Sequence, residues 1–237
     1  MHSKWHQWGI VHHLIMAGNA LDTTVPKILT DRVGATSEDG RLKLSKETID
    51  GVNKWDLLAN AITVHDIGKF TMRQYTEDAN GPVFGFGGHE TESGAIVRHY
   101  HDRFIQLGLT SAQIYYIAHC AELHFELGKL RELAKQSTAG YTITYSTTSA
   151  FENTSRSIAE SHPEYKREIG IMFLADSLAK TDVHVGLNAI TDLENEALFP
   201  AMKDVIATRG LSHLLLPAAK QIGVNVATGV EYLKIVL

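Results

Sequence analysis

The sequence predicts an all-α protein, a single domain of about seven main helices, from three observations. Apolar residues recur mostly at three- and four-residue spacing, which is the period of an amphipathic helix. The chain has 237 residues, 44% of them hydrophobic, which is enough to bury a sizeable core. No internal repeat and no linker divides the chain. We therefore expect one domain over residues 1–237.

The N-terminal part of the chain is predicted to form two helices and a connection. Apolar residues at helical spacing mark the first helix: Trp8, Val11, Leu14, Ile15 and Leu21. Residues 22–44 contain proline, glycines and many charges, which predicts a connection with one short helical turn. A second helix is predicted from about Ser45 to His65, and Gly68 is its expected stop.

The centre of the chain is predicted to be a loop followed by two helices. Residues 71–88 end in a glycine-rich run with two aromatic residues, which predicts a loop whose aromatics either touch a substrate or anchor the loop. A third helix is expected over about 89–107. Thr110–Gln113 matches a capping box, so a fourth helix is expected to follow it to about Lys135.

The last part of the chain is predicted to be helical after a polar segment. Residues 137–157 are rich in Ser, Thr and Tyr, which predicts a polar loop or a short hairpin. Pro163 suits the first turn of a fifth helix, which is expected to reach about Val185. Two further helices are expected near 191–208 and 212–235.

Composition limits the classes of partner. The chain has 22 basic and 27 acidic residues, a net charge of −5. Such a balance disfavours extended nucleic-acid binding, whereas a small phosphorylated ligand needs only a local cation or a metal. Cys120 is the only cysteine, so no intramolecular disulfide can form. A reducing compartment fits that count.

Targeting and membrane signals are not evident in the sequence. Residues 1–6 lack the apolar run of a signal peptide. No stretch approaches the roughly 20 apolar residues of a membrane span. We expect a cytoplasmic protein without a membrane partner, and the sequence leaves open whether it forms a homo-oligomer.

The pair His65-Asp66 is the strongest sign of metal chemistry. Adjacent residues on a helix point about 100° apart, so two neighbours share a metal cluster only near a helix end or at a distortion. The expected stop at Gly68 places the pair at such an end. The chain also has thirteen histidines, a high count for this length, and several fall on predicted helices.

An isolated carboxylate supplies the next signal. Asp176 lies amid Ile171, Met172, Phe173, Leu174 and Leu178, where an unpaired charge is expensive to bury. A metal would explain it, and a salt bridge or a helix cap is the alternative. Candidate ligands therefore occur on five predicted helices: His12 or His13, His65 with Asp66, His89, His119 and His124, and Asp176.

These segments resemble the HD-domain metal-dependent phosphohydrolase superfamily, whose signature is H…HD…D. Val64-His65-Asp66-Ile67-Gly68-Lys69 resembles the central HDIGK motif. Gly88-His89-Glu90 begins a segment that resembles the GHE segment of many hydrolases in this superfamily. His119 resembles the further histidine that many members add, and Ala175-Asp176 resembles the final aspartate.

The first histidine of the family usually reads H-x-L-x-V, which matches best from His12, with His13 as the alternative. The resemblance covers about residues 8–180, the expected metal-binding core, on which C-terminal helices within 191–237 are expected to pack. The long gap before the HD pair looks like an insertion. No GYP motif is found, so the cyclic-dinucleotide phosphodiesterase branch that carries it is not supported.

The resemblance implies a divalent metal centre, and the added histidines favour two metals with Asp66 as the bridging ligand. Imidazole and carboxylate suit several ions, so Mn, Fe, Mg, Co, Ni and Zn are not distinguished. The ligands that the resemblance implies are His12, His65, Asp66, His89, His119 and Asp176.

The resemblance also implies an activity, the hydrolysis of a phosphoester by metal-activated water. The substrate would be a phosphomonoester or phosphodiester, a nucleotide or a similar small phosphorylated molecule. Asp66, Lys69 and His124 are expected to take part in catalysis. Lys69 points either to the phosphate or to Asp66, and His124 is a proton donor, a substrate contact or a surface histidine.

Two alternatives stay open at this point. Some members of the superfamily hold two irons with nearly the same ligands and cleave C–C or C–P bonds with O₂, so a di-iron oxygenase is one alternative. A regulatory domain without catalysis is the other, although a ligand set of this completeness argues against it.

Overall fold

The computed structural model describes residues 9–34, 41–78, 81–139, 142–180 and 212–237. These residues are mostly helical, as the sequence predicts, and they contain ten α-helices. In chain order the helices are α1 (Ile10–Thr23), α2 (Val25–Ile28), α3 (Arg41–Lys46), α4 (Lys54–Val64), α5 (His89–His99), α6 (His101–Gln106), α7 (Ser111–Leu123), α8 (Ser149–Ser161), α9 (Lys166–Leu178) and α10 (Ser212–Val236).

Three antiparallel hairpins lie between the helices of the described ranges. They pair β1 (Thr48–Ile49) with β2 (Val52–Asn53), β3 (Gln74–Asp78) with β4 (Gly81–Gly85), and β5 (Lys135–Ala139) with β6 (Thr142–Ser146). The prediction of a loop over residues 71–88 is therefore wrong for most of these residues, which form β3 and β4. Tyr75 and Phe84 lie opposite each other there, with ring centroids 5.5 Å apart, and such cross-strand aromatic pairs stabilise hairpins.

The polar segment 137–157 contains both a hairpin and a helix. Strands β5 and β6 confirm the hairpin alternative for its first half. Its second half belongs to α8, which the sequence analysis did not predict. The side chain of Thr148 accepts a hydrogen bond from the backbone N–H of Phe151 and so caps this helix.

Helix α4 starts later than the sequence predicts because a hairpin and a cap precede it. Asp50 (φ 48°) and Gly51 (φ 84°) form the turn between β1 and β2. Asn53 then accepts a hydrogen bond from the backbone N–H of Asp56 at 2.9 Å, which begins the helix. The end of α4 at Val64 agrees with the expected stop before Gly68.

The other predicted helices differ mainly at their C-terminal ends. The third breaks at Tyr100 (φ −91°, ψ 20°), which separates α5 from α6. The fourth ends at Leu123, and a 3₁₀ segment, Glu126–Leu133, follows it. Helix α9 ends at Leu178, whereas α10 agrees with the last predicted helix. The helix expected near 191–208 lies outside the described residues.

Helix α9 lies at the centre of the core. Every residue of α9 from Glu168 onward is buried, and the helix contacts α1, α4, α7 and α10. Glycines let α10 approach closely: a Cβ on Gly170 would lie 2.5 Å from Leu233, and one on Gly229 would lie 2.8 Å from Leu174. Asp176 is therefore carried into the interior beside the ends of other helices. In the described ranges, no helix has the length and apolar character to cross a membrane.

Candidate metal centre

Four buried side chains converge at the end of α9. The ligand atoms of His13, His65, Asp66 and Asp176 all lie within 4.8 Å of one another. A second group within the same limit contains Asp66, His89 and His124. The two groups share Asp66, so one continuous cluster joins side chains from α1, α5, α7 and α9 and from the turn after α4.

The distances in the first group suit the coordination sphere of a single ion. His13 Nε2 lies 2.9 Å from Asp176 Oδ1 and 3.3 Å from Asp66 Oδ2. His65 Nε2 lies 3.4 Å from Asp176 Oδ1 and 3.6 Å from Asp66 Oδ2. Ligands about 2.1 Å from one metal lie roughly 3.0–3.4 Å apart. The group of four could therefore hold a metal ion.

The second group uses the other oxygen of Asp66. His89 Nε2 lies 3.1 Å from Asp66 Oδ1, and His124 Nε2 lies 3.6 Å from the same atom. The rings of His89 and His124 are neighbours, with centroids 5.3 Å apart. Asp66 thus presents Oδ2 to one set of imidazoles and Oδ1 to another, which is the arrangement of a bridging carboxylate.

All four imidazoles of the cluster are oriented by the backbone. In each ring Nδ1 lies within hydrogen-bond distance of a carbonyl oxygen: Ala179 for His13 (3.2 Å), Ile62 for His65 (2.7 Å), Phe86 for His89 (2.8 Å) and Ala121 for His124 (2.7 Å). A carbonyl oxygen only accepts, so Nδ1–H donates. In a neutral ring this leaves the lone pair of Nε2 directed at the cluster, and such contacts are the usual support of metal-binding histidines.

Two buried atoms of the cluster support the fit to a metal. His65 Nε2 and Asp66 Oδ1 have no hydrogen-bond partner among the described residues. A buried polar atom left without a partner costs about 1–3 kcal/mol. A coordinated cation would satisfy both atoms, because each has a lone pair available.

The charges of the cluster also favour metal binding. Burial by itself would raise the pKa of Asp66, but His65 and Lys69 hold that pKa well below its usual range. Burial likewise opposes ionisation of Asp176, and Lys180 and His13 keep its pKa low. Burial and the neighbouring His65 lower the pKa of His124 to about 3. Both carboxylates are therefore held ionised and His124 neutral, as metal ligands must be. Despite the burial of His65, Asp66 and Asp176 raise its pKa, so a bound metal would displace any proton from that ring.

The turn after α4 explains how two adjacent residues reach one cluster. Asp66 leaves the helical conformation (φ −109°, ψ 8°) and a 3₁₀ segment, Ile67–Phe70, follows. The backbone N–H of Gly68 donates to Ser93 Oγ at 2.9 Å, and Ser93 Oγ donates to His89 O at 2.8 Å. A Cβ on Gly68 would lie 2.3 Å from that same oxygen. The turn is therefore packed directly against the start of α5.

The structure brings His13 to the cluster, and not His12, which was the expected first ligand. His12 is exposed on α1, whereas His13 is 1% exposed and lies in the cluster. Neighbours on a helix point about 100° apart, so only one of them faces α9. The buried positions Ala17, Ala20 and Leu21 lie four, seven and eight residues after His13. That spacing is the signal that favours His13.

His124 takes the place that the sequence analysis gave to His119. The side chain of His119 is 38% exposed, lies 3.1 Å from Glu122 Oε2 and contacts the ring of Tyr165. Five residues along a helix turn the side chain by roughly 140°, so the two histidines face different directions. His124 caps α7 and is buried in the cluster. The structure therefore does not bring His119 to the site.

The remaining expected residues lie at the cluster, and one further cation joins them. Lys69 contacts Asp66 Oδ2, so of its two expected partners Asp66 is the one it touches here. Glu90 Oε2 lies 3.3 Å from His89 Nδ1, behind the face that His89 turns to Asp66. Sequence reasoning missed Lys180, whose Nζ lies 3.8 Å from Asp176 Oδ2. The i,i+4 spacing of Asp176 and Lys180, within a segment that the sequence predicts to be helical, is the signal that could have found it.

Comparison with known proteins adds no relative to this description. No protein-family model, no curated protein and no solved structure matches the chain. The interpretation of the site therefore depends on the chemistry and geometry of its own residues.

Proposed function

We propose that this protein is a metal-dependent phosphohydrolase of the HD type that acts on a small phosphorylated substrate, with nucleotides as the leading class. The observation that carries the proposal is the shared position of Asp66 between two groups of imidazoles, with a lysine in contact with the same carboxylate. Buried carboxylate and imidazole ligands beside cations suit an anionic substrate that is attacked by water.

The donor set supports a centre of two divalent ions. His13, His65, Asp66 and Asp176 would hold one ion, and Asp66, His89 and His124 would hold the other, with positions left for substrate or water. When bound, such ions supply an activated water and neutralise phosphate charge. The mixture of imidazole and carboxylate suits Mn, Fe, Co, Ni or Zn better than Mg.

The protein side chains have distinct roles in this proposal. Asp66 bridges the two groups. Lys69, which contacts Asp66, is placed to bind a phosphate oxygen once the carboxylate charge is shared with metal. His124 serves as a ligand and not as a proton donor, because its Nδ1–H is engaged by Ala121 O and its Nε2 faces the cluster.

Metal analysis of the purified protein together with a phosphoester screen tests the proposal. The screen would use p-nitrophenyl phosphate, bis-p-nitrophenyl phosphate and nucleoside monophosphates with added Mn²⁺. We expect about two metal equivalents and hydrolysis under anaerobic conditions, both strongly reduced in His65→Ala. Turnover that requires O₂ would instead favour a di-iron oxygenase. Metal binding without turnover of any phosphoester would favour the regulatory domain.

A further inference from the structure

Three cationic side chains lie at or near the metal centre. Lys69 contacts Asp66 Oδ2, and Lys180 Nζ lies 3.8 Å from Asp176 Oδ2. Arg131, from the 3₁₀ segment after α7, lies over the ring of Phe125 at 5.4 Å, and that ring neighbours His124. Burial is the main cause that lowers the pKa of the Lys180 ammonium, and the charges of Lys69 and Arg131 lower that pKa further.

Lys180 is a buried ammonium with little negative charge close enough to offset its own charge. It is 5% exposed and lies two residues after the end of α9. Asp176 Oδ2 is the only carboxylate oxygen of the described residues within 4.0 Å of its Nζ, and their separation of 3.8 Å exceeds a hydrogen bond. A metal bound to Asp176 would compete with Lys180 for the negative charge of that carboxylate. Lys180 would then need another anion, because an unpaired buried charge is expensive.

Arg131 is held in place by neutral groups. Its Nε donates to Gly128 O at 2.8 Å, and its Nη1 donates to Asn225 Oδ1 at 3.4 Å. Within the described ranges Arg131 forms no ion pair with a carboxylate at 4.0 Å or less. Asn225 is fully buried on α10, and its Nδ2 has no partner among the described residues. The guanidinium is thus oriented by the fold, and the carboxylates of Glu132 and Asp176 act on its charge only from beyond 4.0 Å.

The balance of charge around the centre indicates a multiply charged ligand. Two carboxylates, Asp66 and Asp176, face three cations before any metal is counted. Each divalent ion adds two further positive charges. Glu90, which contacts His89 at the rim, and Glu132, which acts on Arg131, offset only part of this excess. A substrate phosphate with two negative charges would offset more of it than a phosphate with one.

We propose that Lys180 and Arg131 bind the terminal oxygens of a dianionic phosphate, so that the centre selects phosphomonoesters over phosphodiesters. This inference rests on the phosphohydrolase function proposed above. An ammonium and a guanidinium bind phosphate oxygens by charge-assisted hydrogen bonds. A monoester presents three such oxygens and two charges, whereas a diester presents two oxygens and one charge.

Calorimetric titration of the full chain loaded with Mn²⁺ tests this selection without turnover. The probes are methyl phosphate, a dianion at about pH 8, and dimethyl phosphate, a monoanion. We expect methyl phosphate to bind at least about tenfold more tightly than dimethyl phosphate. Lys180→Gln and Arg131→Gln should each weaken methyl phosphate about tenfold and change dimethyl phosphate less than about threefold.

A matched control and a conservative variant complete the experiment. Lys129→Gln removes an exposed lysine from the same 3₁₀ segment, where it pairs with Glu126, and should leave both affinities unchanged. Lys180→Arg keeps the charge and should bind methyl phosphate more tightly than Lys180→Gln. Manganese content measured in each variant separates loss of phosphate binding from loss of metal.

Three results would overturn the inference. One is equal affinity of the wild-type protein for the two probes. Another is unchanged methyl phosphate affinity in Lys180→Gln at full manganese content. If Lys180→Gln fails to fold, Arg131→Gln decides alone, and wild-type affinity in that variant overturns the inference. Selective binding without hydrolysis of any ester would contradict the proposed phosphohydrolase and leave the phosphate subsite intact.

Discussion

His13 Nε2 lies 2.9 Å from Asp176 Oδ1, although the two residues are 163 positions apart in the chain. This contact joins α1 to α9 inside the core, and the remaining groups of the cluster lie around it. The position of His13 next to an exposed histidine gives a direct test of which residue binds metal.

His13→Ala should lower the affinity of the first metal at least about tenfold, because it removes a ligand and not only a supporting contact. His12→Ala is the matched control, since it removes an exposed imidazole one residue away. Metal content after dialysis against Mn²⁺ measures the difference. Equal metal content in the two variants would contradict the assignment of His13.

A second pair of histidines tests the other half of the centre. If the centre holds two ions as proposed, His124→Ala should reduce bound metal from about two equivalents towards one and weaken the second ion at least about tenfold. His119→Ala should retain both ions, because His119 is half-exposed beside Glu122 and Tyr165. Manganese titration followed by electron paramagnetic resonance would report both occupancies. Loss of an ion in His119→Ala alone would reverse this assignment.

The packing of the turn after α4 predicts a strong effect at Gly68. A Cβ there would lie 2.3 Å from His89 O and 2.7 Å from Ser93 N, and backbone atoms cannot move aside cheaply. Gly68→Ala should lower the free energy of unfolding by about 1–3 kcal/mol and weaken metal binding. Urea unfolding and metal titration measure the two effects.

Gly87→Ala is the control for that variant. A Cβ on Gly87 would meet nothing within 4 Å, and Gly87 lies two residues before His89. We expect both its stability and its metal affinity to stay close to wild type. If Gly68→Ala were as stable as Gly87→Ala, the turn would not be as tightly packed as its contacts indicate.

The sequence predicts much of the site because some of its signals are local. A helix end marked by Gly68 correctly places His65 beside Asp66, and an aspartate within an apolar helix correctly identifies Asp176 as a buried partner. Helix periodicity also gives the all-α class. Each of these inferences depends on residues close together in the chain.

The remainder of the site depends on packing between distant elements. The choice between His12 and His13 is decided by which face of α1 meets α9. Val11 and Ile15 are apolar but exposed, so the apolar pattern of the sequence does not identify that face. Arg131 is positioned by its 3₁₀ segment and by Asn225 of α10, which no local pattern predicts. The hairpin β3–β4 was missed because its glycines indicate a loop as readily as a strand.

A buried carboxylate away from the metal centre predicts a pH dependence of stability. Burial raises the pKa of Glu168 above its ordinary value of 4.5, although Lys54 and the Tyr116 hydroxyl, which donates to Oε1 at 3.1 Å, oppose the shift. The folded state therefore keeps this proton at a pH where the unfolded chain has released it. Stability from this group is complete below about pH 4.5 and is lost as pH rises through the folded pKa.

Glu168→Gln removes this titration while it keeps an oxygen for Tyr116. We expect the variant to be more stable than wild type at neutral pH, with the difference shrinking as pH falls towards 4.5, because protonated Glu168 resembles glutamine. Glu160→Gln, on the exposed face of α8, is the control. Urea unfolding across pH 4.5–8 of the wild type and both variants measures the effect. A stability difference that does not change with pH would show that Glu168 is ionised equally in the folded and unfolded states.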